Sequence, residues 1–264
     1  MRQLIRRSLP ILRGGPDFAN SILYKVDCGA ATIEFLVPHS PIGGFSYRRP
    51  PAQLDLGAPP PELMEKASEE RTGHSRIALN AANWMYGGPW WRCGQEPYVI
   101  VTQTWTIERV KNGLTLDPAN LEALKAYLAQ DYEAYFESEG GPNAEVRRKA
   151  YECFEQRDGP IERYKEDIES WVKVGSRTLP SDYTQRRIAD TEWVRYTWEP
   201  KFKGQPNDIH YSTLVDPKNI LTVGFCLTRM TPGTDTYWLK TALKDIEQVM
   251  TGTTVKHHRL SATP

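Results

Sequence analysis

The chain has 264 residues, enough to bury a sizeable core as one large domain or two small ones. Its 33 basic and 33 acidic residues cancel, which excludes a global field that would steer it onto nucleic acid or an anionic membrane. Thirteen Tyr, eight Trp and seven Phe exclude a solvating, low-complexity chain.

The first residues carry Arg6-Arg7, but only a short apolar run follows before Arg13, too short for the core of an export signal. No run of the sequence reaches transmembrane length. The four cysteines at 28, 93, 153 and 226 have neither CxxC spacing nor a disulfide pattern. Cys153 and Cys226 read as small buried hydrophobes in a reducing compartment, so the expectation is a soluble, cytoplasmic protein.

Residues 22–26 and 32–37 form a hairpin through Asp27-Cys-Gly-Ala30. From Pro38 to Pro61 seven prolines block regular structure, which predicts an irregular surface excursion, followed by a short charged helix over 62–70. Residues 75–83 read as a strand. In 98–110, Val99, Val101, Gln103, Trp105 and Ile107 share one face of a second strand. Asp117 as N-cap and Pro118 at the first position open a helix with the stripe Leu121, Leu124, Tyr127, Leu128, Tyr132, Tyr135 and Phe136. Gly140-Gly141-Pro142 ends it, Asn143 caps another with Val146, Ala150 and Phe154, and 161–168 reads as a further short helical segment. Residues 171–179 then start a second set of strands.

The organising stretch is the antiparallel run 187–228. A strand over 188–198 sets Val194, Tyr196 and Trp198 against Trp193, Arg195 and Thr197, and 209–215 and 220–228 flank the turn Asp216-Pro-Lys-Asn219. Leu239, Ala242, Leu243, Ile246, Val249 and Met250 repeat at helical spacing, with Thr234 or Asp235 as N-cap and Gly252 past the end. The fold class is therefore α+β, an extended antiparallel sheet with amphipathic helices packed on it. It is read as one domain over 1–264, with 18–140 and 165–256 as candidate sub-lobes of similar order.

No catalytic signature stands in the chain. His257-His258 reads as part of a solvated tail, the glycine pairs lack phosphate-loop spacing, and no ligand set for a metal or cofactor is present. The charged stretches 62–70, 131–139 and 162–169 read as solvated helix faces, although an acidic face could also fill the basic groove of a nuclease. The alternative to a binding protein is a small hydrolase-type enzyme with a site assembled in space around His39, His74 or His210.

Strands such as Glu192-Trp-Val-Arg-Tyr196 and Leu221-Thr-Val-Gly-Phe-Cys-Leu227, followed by a helix over 237–249, resemble the immunity proteins of bacterial toxin systems. The chain is most similar to those guarding against type VI secreted effectors, including the TsiT-like group paired with restriction-endonuclease-like DNases. The terminal strands and helix also resemble PsbP-like domains. The likeness covers mainly residues 170–255 and carries no motif by which individual residues transfer. It implies a non-enzymatic cytoplasmic protein that blocks a toxin, without a cofactor and without direct contact with nucleic acid or membrane.

Four large aromatics, Trp84, Tyr86, Trp90 and Trp91, stand within eight residues around Gly87-Gly88-Pro89, which predicts a loop or bulge. Two or three of these rings can cap the sheet. An exposed one, with Arg92 beside it, would anchor a partner, because Trp, Tyr and Arg dominate interface energetics.

Overall fold

The computed structural model describes residues 14–40, 49–65, 76–87, 99–200, 204–230 and 236–258. Turn chemistry sets the first hairpin: Gly29 takes φ +78° between β1 (Asp17–Asp27) and β2 (Ala31–His39), which pair antiparallel. β3 (Arg76–Tyr86) and β4 (Val99–Arg109) form the next pair. Three helices follow, α1 (Leu121–Glu137), α2 (Pro142–Glu155) and α3 (Lys165–Gly175). Then come β5 (Ser181–Ile188), β6 (Thr191–Trp198), β7 (Asp208–Asp216) and β8 (Asn219–Arg229), and finally α4 (Thr236–Thr251) and β9 (Thr254–His257).

The architecture is α+β, and its strands divide into two antiparallel sheets rather than one. The larger runs β3-β4-β8-β7-β6-β5 and the smaller β1-β2-β9. Both are completed across the 18–140 and 165–256 stretches, through the β4–β8 and β2–β9 pairings. As the alternation predicts, Val99, Val101, Gln103, Trp105 and Ile107 are all buried on one face. That face packs with Trp193, Val223 and Phe225 against Ile33, Phe35 and Val255 of the small sheet and Ala242, Ile246 and Val249 of α4. The opposite face, with Val194, Tyr196, Trp198 and Leu214, packs on Leu124, Leu128 and Phe136 of α1. Burying apolar surface on both sides is the main stabilising contribution here. No helix among the described residues is long and apolar enough to cross a membrane.

Several local expectations change. The strand over 188–198 is broken at Ala189, which sits at φ +52° in the β5–β6 turn, so two strands replace one. Residues 171–175 are helical, because Ile168 and Val172, one turn apart, turn toward α2. α1 begins at Leu121, where the Asn120 side chain accepts the Ala123 N–H, while Asp117 accepts the Ala119 N–H in the preceding turn. Residues 61–63 form a 3-10 turn, and 66–70 of the charged segment lie outside the described residues, as do Thr234 and Asp235. His257 and His258 are not a solvated tail: β9 pairs with β2, and the His258 ring bonds Thr32 Oγ1 and the Gly29 carbonyl. Cys226 is exposed and Cys153 half-buried, against expectation; Cys226 points to the helix-side face of β8, whereas α1 lies against β6 and β7.

Candidate functional site

Trp84 and Tyr86 are the last inward-facing residues of β3, opposite Val101 and Val99 of β4, and both are fully buried. Trp84 Nε1 donates to Tyr86 Oη at 3.1 Å, and Tyr86 Oη donates to Asp245 Oδ2 of α4 at 2.8 Å. The Tyr86 ring also lies 6.0 Å from that of Trp238. These two rings tie α4 to the sheet and offer no contact surface, which corrects their assignment to partner binding. The strand continues through Tyr86, so no loop begins at Trp84. Trp90, Trp91 and Arg92 lie outside the described residues.

The histidines do not converge. His39 is exposed at the end of β2 in the small sheet, His210 belongs to β7 in the large one, and His74 lies outside the described residues. The His210 imidazole stacks on Tyr196 at 5.3 Å and meets Trp198 edge-on at 6.4 Å. Gly224 opposite makes room for it: a Cβ there would stand 3.1 Å from two ring atoms of His210. Burial pushes the His210 pKa down to about 3, reinforced by the Arg76 and Arg177 charges. The ring is thus neutral at physiological pH, and no side chain among the described residues hydrogen-bonds it. Beside it runs a chain of hydroxyls, Tyr132 to Tyr196 at 2.9 Å, Tyr196 to Ser212 at 3.4 Å and Ser212 to Thr222 at 2.8 Å. Burial pushes the Tyr196 phenol up to about 12 and Tyr132 well above its ordinary value, so both stay protonated as links in the core. Among the described residues no group of three or more His, Cys, Asp or Glu could hold a metal ion.

What the structure does present outward is the pair α2 and α3. This helical hairpin has its own small cluster of Ala150, Phe154 and Ile168. Gly141 and Pro142 start α2, and the Asn143 side chain fixes its base instead of capping it. Asn143 Nδ2 donates to Glu137 Oε1 at 2.6 Å and to the Arg177 carbonyl at 2.9 Å, and its Oδ1 accepts the Arg177 N–H at 2.8 Å. The Asn143 amide holds the Glu137 carboxyl below its usual range. The Arg177 guanidinium reaches the large sheet, 5.0 Å above the Trp198 ring.

On this clasped base stand three exposed apolar side chains: Trp171 (45% exposed), Val174 (67%) and Tyr151 (52%). Trp171 and Val174 are three residues apart on α3 and share its outer face. Trp171 meets the buried Phe154 ring edge-on at 6.0 Å, and the Arg157 guanidinium lies 4.2 Å over that same ring. An open groove runs between Phe154 and Arg157 of α2 and its C-terminal turn and Ser170, Trp171 and Val174 of α3. The sequence held part of the signal, since Trp171 and Tyr151 flank the apolar stripes of their helices, each three residues from a buried member, Ile168 and Phe154. It was hidden by the reading of 171–179 as a strand.

No protein-family model, no curated protein and no solved structure matches the chain.

Proposed function

We propose that this chain is a stoichiometric protein inhibitor of the immunity type, which binds a toxic effector, a nuclease by preference, through the outer face of α2 and α3. The observation that carries the reading is the exposed Trp171, Val174 and Tyr151 on a base held by Asn143 and Arg177. A Trp presented on a held base, with Arg157 lining the same groove and Tyr151 exposed on the neighbouring helix, supplies the residue types of an interface hot spot, because such rings bury large area with little ordering cost. The toxin-blocking role rests on the resemblance of residues 170–255. Such an inhibitor would act in the cytoplasm of the producing cell, the reducing compartment favoured by the cysteine pattern.

The test is co-expression with the product of the adjacent upstream reading frame, followed by titration calorimetry of the purified pair. The expected result is rescue of growth and a 1:1 complex. Trp171→Ala is expected to weaken that complex by about 2 kcal/mol or more. A complex whose affinity is untouched by Trp171→Ala and Tyr151→Ala would move the contact elsewhere, with Trp90→Ala and Trp91→Ala the next variants to titrate. Absence of both rescue and complex would overturn the reading.

A further inference from the structure

The outer edge of β1 is a second surface, in the small sheet, and does not rest on the reading above. Asp27 shows how this edge faces. Its N–H donates to the Ala52 carbonyl at 2.9 Å, its carbonyl accepts the Leu54 N–H at 2.8 Å, and Asp27 and Gln53 form a parallel bridge. Alternate residues of a strand send their main-chain groups to the same side. Lys25 and Leu23 therefore direct their N–H and carbonyl groups along the same outer edge, where no backbone group of the described residues meets them.

Continued parallel pairing toward Leu23 would need an N–H from residue 50, and Pro50 has none; Ala52, which could donate to Lys25, makes no backbone bond to it. The two chains part there and leave a groove between residues 22–25 and 49–52. Ile22 and Leu23, 52% and 63% exposed, are among its lining residues.

The charged residues lining the groove are Lys25 and Arg49, with no carboxylate among them. Lys25 lies 3.6 Å from Glu34, but Glu34 is shared with Lys256 at 2.6 Å, and that hydrogen bond holds its carboxyl below the usual range. One carboxylate thus answers two ammonium groups. The Asp27 carboxylate is turned to the Gly29 N–H.

We propose that the β1 edge accepts an extended acidic segment of a partner protein, which adds as a strand beside Leu23 and Lys25 in the groove opened by Pro50 and Pro51. Main-chain bonds give such a site its affinity, and apolar and cationic side chains choose the sequence. A solvated lysine on an edge strand can instead serve only to repel pairing, and the experiment separates the two roles.

The full-length protein is titrated with two short capped peptides, one alternating valine with glutamate and the other valine with lysine, followed by amide NMR and hydrogen exchange. The expected result is binding of the glutamate peptide with protection of the Leu23 and Lys25 amides, and none with the lysine peptide. Leu23→Pro deletes an edge donor and is expected to abolish binding. Arg49→Glu, which leaves β1 untouched, is expected to weaken it by about fivefold, the worth of a favourable exposed charge pair. Equal affinity for the two peptides, or protection elsewhere, would overturn the proposal. So would concentration-dependent dimerisation lost in Leu23→Pro, since the edge would then belong to a second copy of this chain.

Discussion

The large sheet and the helical hairpin of α2 and α3 spend their aromatic residues in opposite ways. Along β8, Leu221, Val223, Phe225 and Leu227 enter one buried layer while Ile220 enters the other, so the strand is covered on both sides as far as Gly224 and open at Cys226 beyond it. The hairpin buries Ala150, Phe154 and Ile168 and leaves Tyr151, Trp171 and Val174 outside. A sheet layered on both faces can bury large side chains on either one. Two helices laid outside α1 have only one face to bury and must be held by polar bonds at the base. Stability is therefore concentrated in the sheet, while the hairpin leaves apolar side chains exposed.

The largest effect that could break this comparison is in the sheet. Phe225→Ala and Trp198→Ala each remove a buried ring, one from each layer, and are expected to cost about 3–5 kcal/mol in urea unfolding. Unchanged midpoints in both variants would mean that neither layer carries the stability. Tyr86→Phe follows at about 1–3 kcal/mol, because it removes the hydroxyl that joins Trp84 Nε1 to Asp245 in a buried setting. The same urea titration checks it, and a loss below the error of the fit would make the tie between β3 and α4 dispensable.

The parts legible in the sequence are those where one element has one dry face. β4 declares its buried residues by period alone, and α4 declares Ala242, Ile246, Val249 and Met250, although Leu243 of the same stripe is exposed; the β7–β8 turn declares itself through Asp216, whose carboxylate accepts the Lys218 N–H. The parts that stayed hidden depend on distant partners. Nothing near Trp84 and Tyr86 tells that Asp245, far along the chain, will cover them. Val172 and Val174, alternating about Lys173, have strand propensity, yet their neighbours on α2 make the segment a helix. The candidate surface was obscured for the same reason: Trp171 is an outward ring only once residues 165–175 are known to be helical.

His210 sharpens the comparison through pH. The folded ring stays neutral down to about pH 3, whereas the unfolded ring takes its proton near 6.5. The folded state thus binds fewer protons, and stability is fully present above pH 6.5 and falls as pH drops from there toward 3. The slope is at most about 1.4 kcal/mol per pH unit, lowered because part of the ring reaches solvent. In His210→Gln the melting temperature is expected to fall less steeply between pH 6.5 and 4 than in the wild type. Equal slopes would assign acid sensitivity to other groups.

The smallest expected effect on stability is at Trp171, and it separates the two regions most directly. Its ring touches Phe154 by an edge and is half in water, so Trp171→Ala removes little buried area, and the global loss is expected to stay within about 0.5 kcal/mol. Asn143→Ala acts at the base of the same hairpin by removing three hydrogen bonds. It is expected to speed amide exchange over residues 142–175 while leaving that of β4 and β8 unchanged. The two variants together tell presentation from contact. If binding of a partner falls in Trp171→Ala with exchange unaltered, the ring itself is the anchor. If it falls only in Asn143→Ala, the partner reads the position of the hairpin rather than its outer face.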